Sequence, residues 1–207
     1  MIDYFIVILQ LLNISKMKLR IYISLLAMFL CVACKNGENN EHLSRMDAIK
    51  AMGDSCPEEA LRKLAIVGTQ LENESEYIRN KYSLLEIRLK DKAYITHTTD
   101  SVIKKVCKCF EENGSQRDLQ EAYYYMGSVY RDLNDSPRAV TYFNKSAQLA
   151  EDNSNADYEI LICTYSQLAV LYKQQFNCNE ALRTILKGLD IAYKIGDSDE
   201  RTIMNVA

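Results

Sequence analysis

The sequence predicts an all-α chain built as an α-solenoid of antiparallel helix hairpins. Three observations predict it. The 207 residues include only 7 Gly and 2 Pro, too little turn chemistry for a many-stranded sheet. Apolar residues recur at helical spacing along most of the chain. A six-position pattern around Gly127 also returns around Ala169, as a stacked repeat requires. The net charge of −3 and pI near 5.5 offer no whole-domain basic face to nucleic acid.

The first element is an export signal. Residues 21–33, IYISLLAMFLCVA, are apolar and follow Lys18 and Arg20. A helix of that length spans roughly 20 Å, short of the roughly 30 Å bilayer core. Cys34 and a polar stretch, KNGENNEH, come next. Val32, Ala33 and Cys34 resemble the lipobox of bacterial lipoproteins, with Cys31 where an aliphatic residue is usual. That resemblance implies cleavage before Cys34 and its acylation. A signal of this kind begins naturally at Met17, which leaves 1–16 as an over-extended gene start. The expected organisation is therefore a lipoprotein-type signal over 17–33, a polar linker over 34–41 and helical repeats over 42–207.

Hairpins are expected at about 42–74, 75–114, 119–152 and 157–196. In the first, Ala48 takes the small crossing position and Ala60 and Leu64 lie on the second helix. Ser55-Cys56-Pro57-Glu58 has the form of a capping box. In the second, Ile78, Tyr82, Leu85 and Leu89 form one stripe; Val102, Ile103, Val106 and Phe110 form another, closed by Gly114. The connection DKAYITHTT (91–99) is long.

The third and fourth hairpins carry the repeat itself. Around Gly127 stand Tyr123, Met126, Tyr130, Ala139 and Phe143; around Ala169, at equal offsets, stand Tyr165, Leu168, Tyr172, Ala181 and Ile185. A small residue at the crossing lets two helices approach, while the large residues form the buried stripes. Ser136 before Pro137 reads as one N-cap, and Asn179 as the next. A partial unit, 199–207, restarts the pattern with Ala207 in the small position, which predicts repeats continuing past the end of the sequence.

This pattern resembles the tetratricopeptide repeat family, with Tyr123 and Tyr165 where that family carries Trp, and with 42 residues from Gly127 to Ala169 rather than about 34. Residues 75–150 and the lipoprotein-like start are similar to envelope-anchored repeat proteins of anaerobic Gram-negative gut bacteria. The resemblance implies a superhelix whose first helices line a concave groove. By the same resemblance, Tyr125, Ser128 and Arg131 face that groove, followed by Gln167, Val170 and Lys173, with Tyr124 beside them. Aromatic rings among Arg, Lys and Gln suit a peptide or protein segment.

Nothing in the sequence assembles an enzyme. No phosphate loop, nucleophile elbow or H-E-x-x-H helix occurs, and no cofactor motif is present. His97 is the one histidine within the helical region after His42. Cys107 and Cys109 are two apart on a helix, about 200° around it, so they cannot share a metal; both read as small core residues. Cys163 and Cys178 could approach across a hairpin, with reduced thiols favoured over a disulfide. The expected function is thus a non-catalytic interaction scaffold, exported and membrane-tethered through Cys34, with a protein or peptide partner and no nucleic acid. Two alternatives remain open: the sensory part of a larger signalling or transcriptional regulator, and a glycan-binding lipoprotein.

Overall fold

The computed structural model describes residues 41–151 and 155–195. The signal, Cys34, the linker up to residue 40 and the partial unit at 199–207 lie outside the described residues, while residue 41, expected to end the linker, is already helical. The chain divides into two compact units, Met1–Arg45 and Met46–Ala207. Of the first, residues 41–45 are described and are helical. The second is an α-solenoid of antiparallel helix hairpins, without a strand among the described residues.

Its hairpins pair α1 (46–53) with α2 (Pro57–Gly68), α3 (Glu76–Lys92) with α4 (Ser101–Asn113), α5 (Gln116–Asp132) with α6 (Ser136–Glu151), and α7 (Tyr158–Gln174) with α8 (Cys178–Lys194). None of these helices is long and apolar enough to cross a membrane. One continuous core runs from Leu84 on α3 to Leu171 on α7.

Small residues sit where paired helices cross. A Cβ on Gly127 would lie 2.7 Å from the Phe143 ring, and Ala139 and Phe143 are fully buried. Ala169 and Ala181 are buried in the next hairpin, beside Tyr165, with Tyr172 half-buried. In the first hairpin Gly53 is buried at the end of α1, where a Cβ would lie 3.7 Å from Ala60 of α2 and would collide with Leu89 of α3, the next hairpin. Ala48, which the sequence pattern put at the small crossing position, is instead exposed, and Met46, Ile49 and Gly53 form the buried face of α1.

The buried tyrosines keep their hydroxyls satisfied through acids on neighbouring segments. Tyr123 Oη donates to Glu111 at 2.7 Å and Tyr130 Oη to Asp100 at 2.9 Å; Tyr165 Oη donates to Glu151. A Tyr can thus stand in for Trp, because its polar tip reaches the surface while its ring fills the core.

Helix starts follow local chemistry closely. Ser115 and Asp118 form a reciprocal capping box on α5, at 3.1 and 3.2 Å. Three caps fall elsewhere than expected. Asp135, not Ser136, accepts from Arg138 N at 3.1 Å, and Asn177, not Asn179, accepts from Glu180 N at 3.3 Å. Cys56 precedes Pro57 as the N-cap of α2 and makes no side-chain bond, so the Ser55 box does not form. Proline at the first helical position fixes where that helix begins.

The ends of α3, α5 and α7 share a device that the sequence pattern does not display. Tyr94, Asn134 and Phe176 each adopt a left-handed backbone, with φ of 56, 58 and 59°. The residue after each donates its N–H back across the turn: Ile95 to Lys90 O, Asp135 to Tyr130 O and Asn177 to Tyr172 O, each at 2.9 Å. This is a Schellman closure, in which glycine or asparagine is at ease. A bulky residue there is strained by roughly 1–2 kcal/mol. Phe176 is 93% exposed, so little packing offsets the strain. Phe176→Gly should therefore raise stability by about 1 kcal/mol, read as a higher urea midpoint.

Candidate functional site

Curvature decides which face is concave. α3 touches α5 and α5 touches α7, whereas no comparable contact joins α4 to α6 or α6 to α8 among the described residues. The first helices are therefore the inner rail and the second helices splay outward.

On this inner rail, α1, α3, α5 and α7 together frame a cavity of about 410 Å³. Its walls are charged, and the charges pair between helices. Lys50 of α1 reaches Glu121 of α5 at 2.8 Å. Arg88 of α3 bridges Asp54 at 2.9 Å and Glu121 at 3.3 Å. Lys81 of α3 reaches Asp118 of α5 at 2.8 Å, where Tyr77 Oη also donates at 2.9 Å. Arg117 of α5 pairs with Asp157, the N-cap of α7, at 2.7 Å. Gln120 completes that seam: its Nε2 donates to Asp157 O at 2.8 Å, and its Oε1 accepts from Asp157 N at 2.9 Å.

This charged well sits on the inner rail because α5 is enclosed. Every residue from Gln120 to Tyr130 is buried, surrounded by α3, α4, α6 and α7. That enclosure corrects the groove assignment made from the repeat offsets. Tyr124, Tyr125 and Ser128 are 7%, 2% and 0% exposed and do not line an open groove. Tyr124 packs edge-on to Tyr125 and tilted against Phe143. Burial pushes both phenols far above their ordinary titration range.

Arg131 is half-buried and spans three helices. It binds Asp91 of α3 at 2.7 Å, Asp132 at 2.9 Å and Gln167 of α7 at 2.9 Å. Gln167 is thus a structural partner of Arg131, while Lys173 lies exposed further along α7. The long connection after α3 docks here through His97 N, which donates to Asp132 at 3.0 Å. Asp91, His97 and Asp132 gather within 4.8 Å, a spacing a metal could use. The Arg131 guanidinium already occupies both carboxylates, and a fixed internal cation of this kind makes a second one unfavourable. Burial lowers the His97 imidazole below its ordinary value, against the pull of Asp132 and Asp91.

The five cysteines among the described residues are free: Cys107 and Cys109 buried, Cys163 half-buried, Cys56 and Cys178 exposed. Burial pushes the Cys107 thiol up to about 12, so it is a poor nucleophile.

The ion pairs set an acid limit on stability. Burial opposes ionisation of Asp118 and Asp157, yet bonds from Lys81 and Arg117 hold both carboxyls below their ordinary 3.8. A depressed folded value means stability fully present above the unfolded value and lost as pH falls through the folded one. Melting temperature should therefore fall as pH drops below 3.8, with Asp118→Asn blunting the fall.

Comparisons place the chain among known proteins. Residues 118–194 match the family model described as a tetratricopeptide repeat. A stretch of 89 residues, 42% of the chain, is 33% identical to response regulator aspartate phosphatase A of Bacillus subtilis (strain 168). The match spans 22% of that protein's length. The crystal structure of BtubC from P. vanneervenii shares the fold, with a TM-score of 0.57 at 12% identity, over 73% of this chain and 64% of that one. Tetratricopeptide repeats generally mediate protein–protein contacts and are typically non-catalytic scaffolds.

Proposed function

We propose that this chain is a non-catalytic interaction scaffold whose inner rail holds an extended segment of a protein partner. The observation that carries the reading is the charged well between α1, α3, α5 and α7. Its volume falls within the roughly 300–1,000 Å³ usual for binding sites. A wall of paired charges offers hydrogen bonds to an extended main chain and excludes wrong partners by like-charge repulsion. The matching repeat family supports the general class of partner.

The test uses a peptide array probed with the full chain. Ala51 is exposed and lines the well, whereas Ala65 is exposed on α2 of the outer row. Ala51→Trp should abolish peptide capture and Ala65→Trp should leave it intact. Equal capture by both variants would reject the groove.

The tether belongs to the same proposal. Acylation of Cys34 would hold the scaffold at the cell envelope, with more than one acyl chain needed for stable anchoring. Cys34→Ser should shift the protein from the detergent phase to the aqueous phase of a Triton X-114 partition.

A second reading has one specific observation in its favour. The curated relative is named for its action on response regulators, which suits the repeats as part of a signalling protein. Binding of the full chain to a phosphorylated receiver domain, blocked by Ala51→Trp, would favour it.

A further inference from the structure

We infer that the charged well takes a cationic side chain, lysine or arginine, presented by the extended segment of the partner; this rests on the groove reading above. Six carboxylates and four cations line the well. All four cations have partners, in the pairs of Lys50, Lys81, Arg88 and Arg117 described above. Lys92, just outside the lining, also reaches Asp54 at 2.8 Å.

Two carboxylates stay outside this network. Asp47 on α1 and Glu159 in the first turn of α7 line the well, are exposed, and form no ion pair among the described residues. The unspent charge of the well is therefore negative, and it lies on two helices that bracket the cavity. An anionic ligand would have to break an existing pair, leaving a buried or half-buried carboxylate without its cation. A cationic ligand would break none.

The rest of the lining narrows the ligand further. Ala51 and Ile160 are its only apolar residues, so an apolar anchor would find little to bury against. Arg88 supplies the opposite requirement. It lines the well, its side chain is 10% exposed, and its Nε has no acceptor. A buried donor left unmet is costly. That Nε has almost no exposed surface, so a main-chain carbonyl of the bound segment meets it only as the Arg88 side chain shifts toward the cavity. A peptide carrying Lys or Arg supplies that carbonyl and the cation together.

The experiment is fluorescence anisotropy on the full chain, with labelled Gly-Lys-Ser, Gly-Gln-Ser and Gly-Glu-Ser repeat peptides of equal length. The lysine peptide should bind about tenfold tighter than the glutamine peptide, with the glutamate peptide weakest, and added salt should erode the difference. The double variant Asp47→Asn/Glu159→Gln should weaken the lysine peptide about fivefold, mainly through association rate. Glu72→Gln/Glu112→Gln removes the same charge from exposed sites outside the well and should change nothing. Neither pair of substitutions touches an ion pair, so unchanged circular dichroism is expected for both.

Equal weakening by the two double variants would overturn the proposal, since the attraction would then be diffuse. Tighter binding of the glutamate peptide, or no binding of the lysine peptide, would overturn it as well. If all three peptides bind alike and Ala51→Trp removes them all, the cation is wrong and the groove survives. Insensitivity to Ala51→Trp rejects both.

Discussion

Phe143→Ala is expected to cost about 3–5 kcal/mol, near the top of the range for a single core substitution. The ring is fully buried, presses on the Gly127 backbone and lies 5.6 Å from the Tyr124 ring. It fills the crossing between α5 and α6 at the middle of the stack, where neighbours on both sides prevent collapse into the vacated space. Gly127→Ala attacks the same contact from the other side. Its new Cβ would meet three ring carbons at 2.7–2.8 Å, well inside van der Waals contact. The ring cannot retreat from a packed core, so that change should cost about 1–3 kcal/mol. The decisive measurement is the pair. Gly127→Ala with Phe143→Leu should cost less than the sum of the two singles, because the smaller side chain makes room for the methyl group. Strict additivity in urea unfolding would mean that the two residues do not share one crossing.

This crossing is also why so much of the architecture was legible. Close approach of two helices demands a small residue, and the stripes around it demand large ones at helical offsets. Those demands are local, so Gly127 and Ala169 announce them with Tyr123, Tyr130, Phe143 and their counterparts 42 residues on. Boundaries were less legible because capping depends on where the first helical N–H falls. Asp135 and Ser136 are adjacent and both competent, and only backbone geometry selects Asp135.

The inner site was largely illegible for a different reason. Whether a helix face is open depends on its neighbours in the stack, not on its own sequence. Tyr125 and Ser128 occupy offsets that face a groove in the related family, yet α3 and α7 close over them here. On α7, which has α8 as its hairpin partner but no following first helix among the described residues, Val170 at the offset of Ser128 is 49% exposed. The well is assembled from Lys50, Arg88, Glu121 and Asp157, which share neither spacing nor repeat register. One signal was available. Arg88 stands between Ile87 and Leu89 in a run of core residues, where a charge survives only if paired.

Glu121→Ala is expected to cost about 3 kcal/mol or more, because it strands a buried cation. Glu121 and Arg88 have side chains only 9% and 10% exposed, and Glu121 also holds Lys50. Lys50 can turn to solvent when its partner goes, being 32% exposed. Arg88 cannot; it keeps only Asp54, which is itself half exposed and shared with Lys92. The charge on Arg88 persists at every accessible pH, since Tyr125, Glu121 and Asp54 together outweigh burial and raise its already high value. Deprotonation therefore offers no relief, and the loss appears as destabilisation. Replacing both partners should behave differently. Glu121→Leu with Arg88→Met removes the cation and its counterion together, and stability should return to near the starting value or exceed it. Peptide capture should nevertheless be lost in that double variant, because Arg88 forms part of the well wall. Recovery of stability without recovery of binding would separate the two duties of this pair: holding three helices in register and presenting a charged inner rail.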